Sequence, residues 1–171
     1  KIEDYMGAFL VTSGKEAKEY ANELRDNGDE YNSMLLNFVC DRLAEAFAEK
    51  LHLDLRKKYW GYSENENLKL DDVLKGKYIG IRPAIGYPSL KDQKEIKKIF
   101  RILDGENYTG ASITENYMID PPSSVCGLYF ANKNAKYFDV YKIDENQLSD
   151  YSKRNNSSLN ELKLRLPYIL V

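Results

Sequence analysis

The chain has 171 residues, 25 of them lysine or arginine and 27 aspartate or glutamate, for a formal net charge of -2. That length suits one domain with a sizeable core, and the balanced charge argues against a nucleic-acid binder working through a general basic field. No apolar run approaches the roughly 20 residues of a membrane span and no signal peptide is visible, so a cytoplasmic location is expected. Cys40 and Cys126 form no metal or redox spacing and read as reduced thiols. His52 is the single histidine, which leaves no set for a histidine-based metal site or a serine triad.

Residues 4–12 (Asp4 to Thr12) read as a mostly buried strand. Ser13-Gly14 then opens a charged helix over 15–26, ended by Asn27-Gly28. A long helix is expected from Asp29 to Lys58. Leu35, Val39, Leu43, Ala46, Phe47, Leu51 and Leu55 recur at three and four residues, which predicts one stripe facing a core. Ala44, Ala46 and Ala48 keep the neighbouring face small, for close packing or for a ligand. Tyr59-Trp60-Gly61-Tyr62 closes this helix, and a polar stretch leads to a short helix over Leu70–Leu74.

Tyr78 to Ile81 is strand-like and runs into Arg82-Pro83-Ala84-Ile85-Gly86-Tyr87-Pro88. Each proline fixes its own φ and biases its predecessor away from helix, so this backbone is held extended. Gly86 can take a positive φ or let a ligand approach the main chain. The loop thus offers a guanidinium at one end and a phenol at the other. Arginine forks onto a carboxylate and tyrosine stacks on a flat ring, so the loop suits an anion joined to a ring system. An ordinary strand-to-helix turn with a surface arginine is the alternative. Ser89 and Asp92 have capping-box spacing for a helix over 90–103, with Ile96, Ile99, Phe100 and Leu103 on one face. Asp104 to Asn107 reads as a turn, Ser112–Ile119 as a strand ended by Pro121-Pro122, and Ser124–Ala131 as another. Asn132 to Ala135 is expected to turn the chain into Lys136–Ile143 as a β-hairpin. Two short helices follow, the second capped by Ser158 with Glu161 three residues on. Lys153, Arg154, Lys163 and Arg165 make this tail locally basic, as a solvated surface or a docking face for an acidic partner. Together these elements predict an α+β fold: a twisted, largely antiparallel sheet flanked by helices, one long helix near the N-terminus.

Several separate motifs, in order, carry a family resemblance. They are Asp4 to Phe9, Asp41 to Glu49 with Leu51-His52, Tyr59-Trp60-Gly61-Tyr62 with Asn65 to Leu68, the Arg-x-x-x-Gly-Tyr of the central loop, and Ser124 to Phe130. In these the chain resembles the activation domain of cobalamin-dependent methionine synthase over essentially its whole length. The resemblance implies a single domain, the C-terminal part of a module that extends upstream of Asp4. It implies binding of S-adenosylmethionine, whose methyl reaches a cobalamin held on another domain when that cofactor has oxidised to an inactive form. Flavodoxin or a similar donor would supply the electron. Carried over by position, Arg82 would hold the methionyl carboxylate, Pro83, Ala84, Gly86 and Tyr87 would shape the loop, and Tyr129 and Phe130 would line the site, partly through backbone groups. Glu45 is a candidate partner for the ammonium or sulfonium, or else a solvent-facing helix carboxylate. No catalytic side chain is implied, because the cofactor supplies the nucleophile and the protein supplies placement. His52 and Cys126 read as structural. Gln93 stands where the family has a histidine, and Pro122 and Leu128 also depart from its pattern. A stand-alone ligand-binding module for a corrinoid protein, and a structural domain without a ligand, are the other readings.

Overall fold

Strands β1 (Gly7–Thr12) and β4 (Ser124–Tyr129) pair antiparallel through all six positions, with Gly7 opposite Tyr129 and Thr12 opposite Ser124. Side chains alternate across a strand, so this register sorts the core into two sides. Phe9, Val11 and Tyr129 join Ala48 on one side, while Ala8, Leu10, Cys126 and Leu128 pack with Ile96, Ile99 and Phe100 on the other. These are the faces of the computed structural model, which describes residues 3–170.

The first side is covered by α2 (Glu30–Asp54), which follows α1 (Lys15–Asp26). Asp29 caps α2 by accepting from the Asn32 N–H at 3.2 Å. The helix runs on through a π-turn, Leu55–Tyr59, so the long element is as expected in extent. Its orientation is not. Cys40, Ala44, Ala48, His52 and Arg56, spaced by four, face inward and are buried. Of the stripe expected to face a core, Leu51 and Leu55 pack against it, but Ala46 is exposed and Leu35, Val39, Leu43 and Phe47 are 46–59 % exposed. The reason is steric complementarity. The sheet already brings Phe9, Val11 and Tyr129 to the contact, so the helix approaches with alanines. A hydrogen bond from buried Ser33 Oγ to Ala21 O at 2.6 Å marks the close approach of α1.

The second side is covered by α4 (Ile96–Leu103), preceded by a 3₁₀ turn over Gln93–Glu95. The helix expected to begin at residue 90 therefore starts later. Asp92, expected inside its first turn, instead caps the 3₁₀ turn and receives two N–H bonds from Arg165 at 2.7 and 2.8 Å. The expected turn at 104–107 is the start of α5 (Gly105–Thr109). The expected strand 112–119 folds on itself as a hairpin, β2 (Ser112–Ile113) with β3 (Ile119–Asp120). Tyr117 takes a positive φ of 62° inside that turn. The short helix α3 (Leu70–Leu74) lies where the sequence puts it.

The central loop forms a third strand-like edge on β4. Ile81 and Phe130 exchange N–H···O bonds at 3.1 and 3.0 Å, Leu128 N donates to Pro83 O, and Ile85 N to Cys126 O. Pro83 has no N–H to give and contributes only its carbonyl, as a proline at a sheet edge must. Gly127 makes the approach possible: a Cβ there would lie 2.3 Å from Pro83 O. Because the loop takes this edge, the expected hairpin between β4 and 136–143 cannot form. Residues 137–140 lie along the loop instead, with Val140 N donating to Pro88 O at 3.1 Å. The chain ends in α6 (Glu145–Asn155) and α7 (Leu159–Arg165), which bury Leu148, Leu162 and Leu166 with Ile169 in a third cluster. Among the described residues no helix is long and apolar enough to cross a membrane.

Candidate functional site

The π-turn organises the ground beneath the site. Widening the helix at 55–59 lets buried Arg56 donate from Nε and Nη2 to the two oxygens of Glu66, both at 2.8 Å. The Tyr78 ring lies 4.0 Å from its guanidinium carbon. One turn earlier, His52 stacks on Tyr129 at 5.1 Å between ring centroids and lies 3.2 Å from the Tyr62 hydroxyl. Burial, with the charges of Arg56 and Arg82 behind it, pulls His52 down to about 3. This histidine therefore stays neutral and packed, as the sequence reading has it. Cys126 is likewise inert, since burial pushes its thiol up to about 12.

Above this layer the loop opens a cleft of about 530 Å³. Arg82, Pro83, Ala84 and Tyr87 line it from the loop, and Glu45 lines it from α2. These expected site residues come together. Gly86 stands behind them at φ 88°, where a Cβ would meet Gln93 Nε2 at 2.7 Å. The residue that departs from the family pattern thus packs directly on the loop's glycine. A second depression of about 440 Å³ shares Glu45, Tyr87 and Val125 with the first and reaches Asp41 and Ser123.

Arg82 is less free than a loop arginine was expected to be. Its N–H donates to Tyr137 Oη at 3.0 Å, and its side chain turns back onto α2, where Nη2 donates to Glu49 Oε2 at 3.1 Å. The two side chains are 17 % and 22 % exposed. Burial works against the charge of Arg82, but the Glu49 hydrogen bond and carboxylate outweigh it and hold the pKa raised. Among the described residues, buried Arg82 Nε and Glu49 Oε1 have no hydrogen-bond partner.

Two expected residues do not join the cleft. The Tyr129 side chain is 1 % exposed and is stacked between Phe9 and His52, because odd positions of β4 point to the α2 side. Phe130 lines a different hollow, with Tyr5 and Ile81. Val125 is the β4 residue that reaches the cleft. Sequence reasoning also missed the opposite wall: Tyr137, Phe138, Asp139 and Tyr141. Their signal was present only as a density of aromatics, three in five residues.

A guanidinium, two carboxylates and several phenols surround the cleft, and the only imidazole is buried and neutral, so the arrangement can act on a small charged ligand through position and charge rather than through general acid–base chemistry. Comparison gives the family. The model of the vitamin B12 dependent methionine synthase activation domain matches residues 1–156, and the chain belongs to that family. The crystal structure of the MetH reactivation domain bound to AdoHcy matches with a TM-score of 0.94 and 41 % identity over 98 % of this chain. This chain spans 51 % of that one.

Proposed function

We propose that the chain binds S-adenosylmethionine in the Arg82–Tyr87 cleft and presents its methyl group to a cobalamin held on a neighbouring domain, in the reactivation of methionine synthase. The observation that carries this is the grouping of Arg82, Ala84, Tyr87 and Glu45 around one cleft, on a fold that matches a reactivation domain solved with AdoHcy. The cleft's 530 Å³ falls within the roughly 300–1,000 Å³ of small-molecule sites. Arg82 holds the ligand carboxylate through the donors not given to Glu49. Glu45 faces the ammonium or sulfonium, and Tyr87, with Tyr137 across the cleft, stacks on the flat base. Pro83 and Ala84 form the floor, and Gly86 sets the turn that aims Tyr87. Tyr129 contributes from below by fixing β4, and Phe130 by pairing with Ile81. The cobalamin supplies the nucleophile. This chain's residues align the sulfonium and exclude water around it.

The partners in this reading are the cobalamin domain and an electron donor such as flavodoxin, in the cytoplasm. Much of the tail's basic charge is paired internally: Arg154 with Asp150, and Arg165 with Asp92 and Glu161. Contact with an acidic donor is therefore modest and weakens with salt. Calorimetric titration with S-adenosylmethionine tests the central claim, with amide shifts followed by NMR. Binding should move the loop and residues 125 and 137–141 together. Shifts confined to 146–171 would place the ligand elsewhere.

A further inference from the structure

The charge of the cleft is set by a residue that does not line it. Glu49 lies one turn from Glu45 on α2, behind Arg82, and accepts a single N–H bond from it at 3.1 Å. The other carboxylate of the wall, Asp139, is matched by Lys91 at 2.7 Å. Among the described residues Glu45 has no ion-pair partner. The two pairs cancel, so the cleft presents the negative charge of Glu45. Building on the functional reading above, we propose that Glu49 is a charge-balancing positioning residue, through which the cleft prefers a cationic sulfonium over the corresponding neutral thioether.

S-adenosylmethionine carries a carboxylate, an ammonium and a sulfonium, whereas its demethylated product S-adenosylhomocysteine keeps only the first two. An uncompensated Arg82 would draw in the carboxylate of either ligand equally and repel the sulfonium of one. With Glu49 behind it, Arg82 still offers directed N–H donors but no net charge, and Glu45 acts on the sulfonium unopposed. The geometry suits this division. A bond through Nη2 alone ties the guanidinium to α2 without using Nη1, which stays available to the ligand, while Nε and Glu49 Oε1 are buried without a partner.

Glu49→Gln tests the proposal, because the amide oxygen can still accept from Arg82 while the charge is gone. Wild type and variant are titrated with S-adenosylmethionine and with S-adenosylhomocysteine at low salt. The preference for the sulfonium should fall by about three- to tenfold in the variant, an order of magnitude set by one charge at medium range. Glu49→Asp should keep it. If Glu49→Gln does not fold, its charge is read between Arg82→Ala and Arg82→Ala/Glu49→Gln. Both lose affinity, but the single variant should lean further toward the sulfonium, and the double should return to the wild-type ratio. A ratio that stays fixed across variants that bind both ligands overturns the role of Glu49 and leaves the functional reading standing. If wild type binds neither ligand, that reading falls and the proposal with it.

Discussion

Two arginine–glutamate pairs reach the same helix and behave differently. Arg56–Glu66 is bidentate: two bonds of 2.8 Å, an arginine with no exposed surface, and an aromatic ring over the guanidinium, with one buried donor, Nη1, left without a partner. Arg82–Glu49 is open: one bond of 3.1 Å, both side chains partly exposed, and a buried donor and acceptor left over. The chemistry is the same, so the difference lies in how many hydrogen-bonding positions each pair keeps for itself. A pair that uses its fork internally fixes the fold, and a pair that uses one tine can still receive a ligand. Buried charge is costly unless it is paired, so the pair with two short bonds lies in the core and the one with a single longer bond lies at the cleft.

The largest expected effect breaks the bidentate pair. Arg56→Ala leaves Glu66, 7 % exposed, as an uncompensated carboxylate and should cost about 3–5 kcal/mol of stability in urea unfolding. A loss below about 1 kcal/mol would mean that the two pairs do not differ in kind.

Breaking the open pair should instead show first in binding. Arg82→Ala should lose roughly 1.5–3 kcal/mol of affinity for S-adenosylmethionine, about one to two orders of magnitude in Kd. Arg82→Lys should recover part of this, since a point charge cannot reproduce the planar fork. A loop arginine would leave stability untouched. This one is half-buried against Glu49, so a stability loss should accompany the binding loss and remain smaller than that of Arg56→Ala. A larger stability loss at Arg82 would reverse the assignment of the two pairs.

His52 lies between the pairs and feels both arginines after the larger effect of burial. Its folded pKa of about 3 lies below the unfolded value of 6.5, so acid protonates the unfolded chain first. The stability linked to His52 is full above pH 6.5 and is lost progressively as pH falls toward 3. By pH 5 the loss should be about 2 kcal/mol. His52→Gln should remove that part of the pH dependence, as the difference between wild-type and variant unfolding curves at pH 7.5 and 5. Equal slopes would show that the imidazole titrates normally and that the buried layer is wetter than its packing implies.

How much of this was legible beforehand depended on whether a signal was local. Helices α1 and α3, the cap at Ser158 and the loop at Arg82 follow from spacing, glycine and proline, and all can be read from the chain, whereas the strand expected over residues 78–81 is bent and only Ile81 bridges to Phe130. The inward face of α2 could not be read that way. Apolar periodicity marks where large side chains recur, and here the large side chains of that contact come from the sheet, leaving Ala44 and Ala48 to the helix. The hairpin expected after β4 failed for a similar reason. Its place was taken by Pro83 and Ile85, about forty residues upstream, and competition for one strand edge leaves no local trace. That Arg82 and Glu45 belong to one region of the molecule was an expectation of the motif resemblance, and they do line one cleft. Glu49 was not among the expected site residues, because its role depends on where Arg82 turns.

The smallest expected effect uses the opposite face of the same helix. Leu43 and Phe47 are 59 % and 52 % exposed, so neither removes much apolar surface from water on folding. Leu43→Gln and Phe47→Gln should each change the unfolding free energy of this chain by less than about 0.5 kcal/mol, as surface substitutions do. The contrast with Arg56→Ala then becomes one of direction on a single helix: a polar side chain facing inward supports the fold, and apolar ones facing outward do not. Melting temperatures at two protein concentrations make the test sharper. A loss above about 2 kcal/mol, or one that grows with concentration, would show that the outward face is covered when the protein is stable. That result would move the stripe of Leu35, Val39, Leu43 and Phe47 back among the residues that hold the structure together.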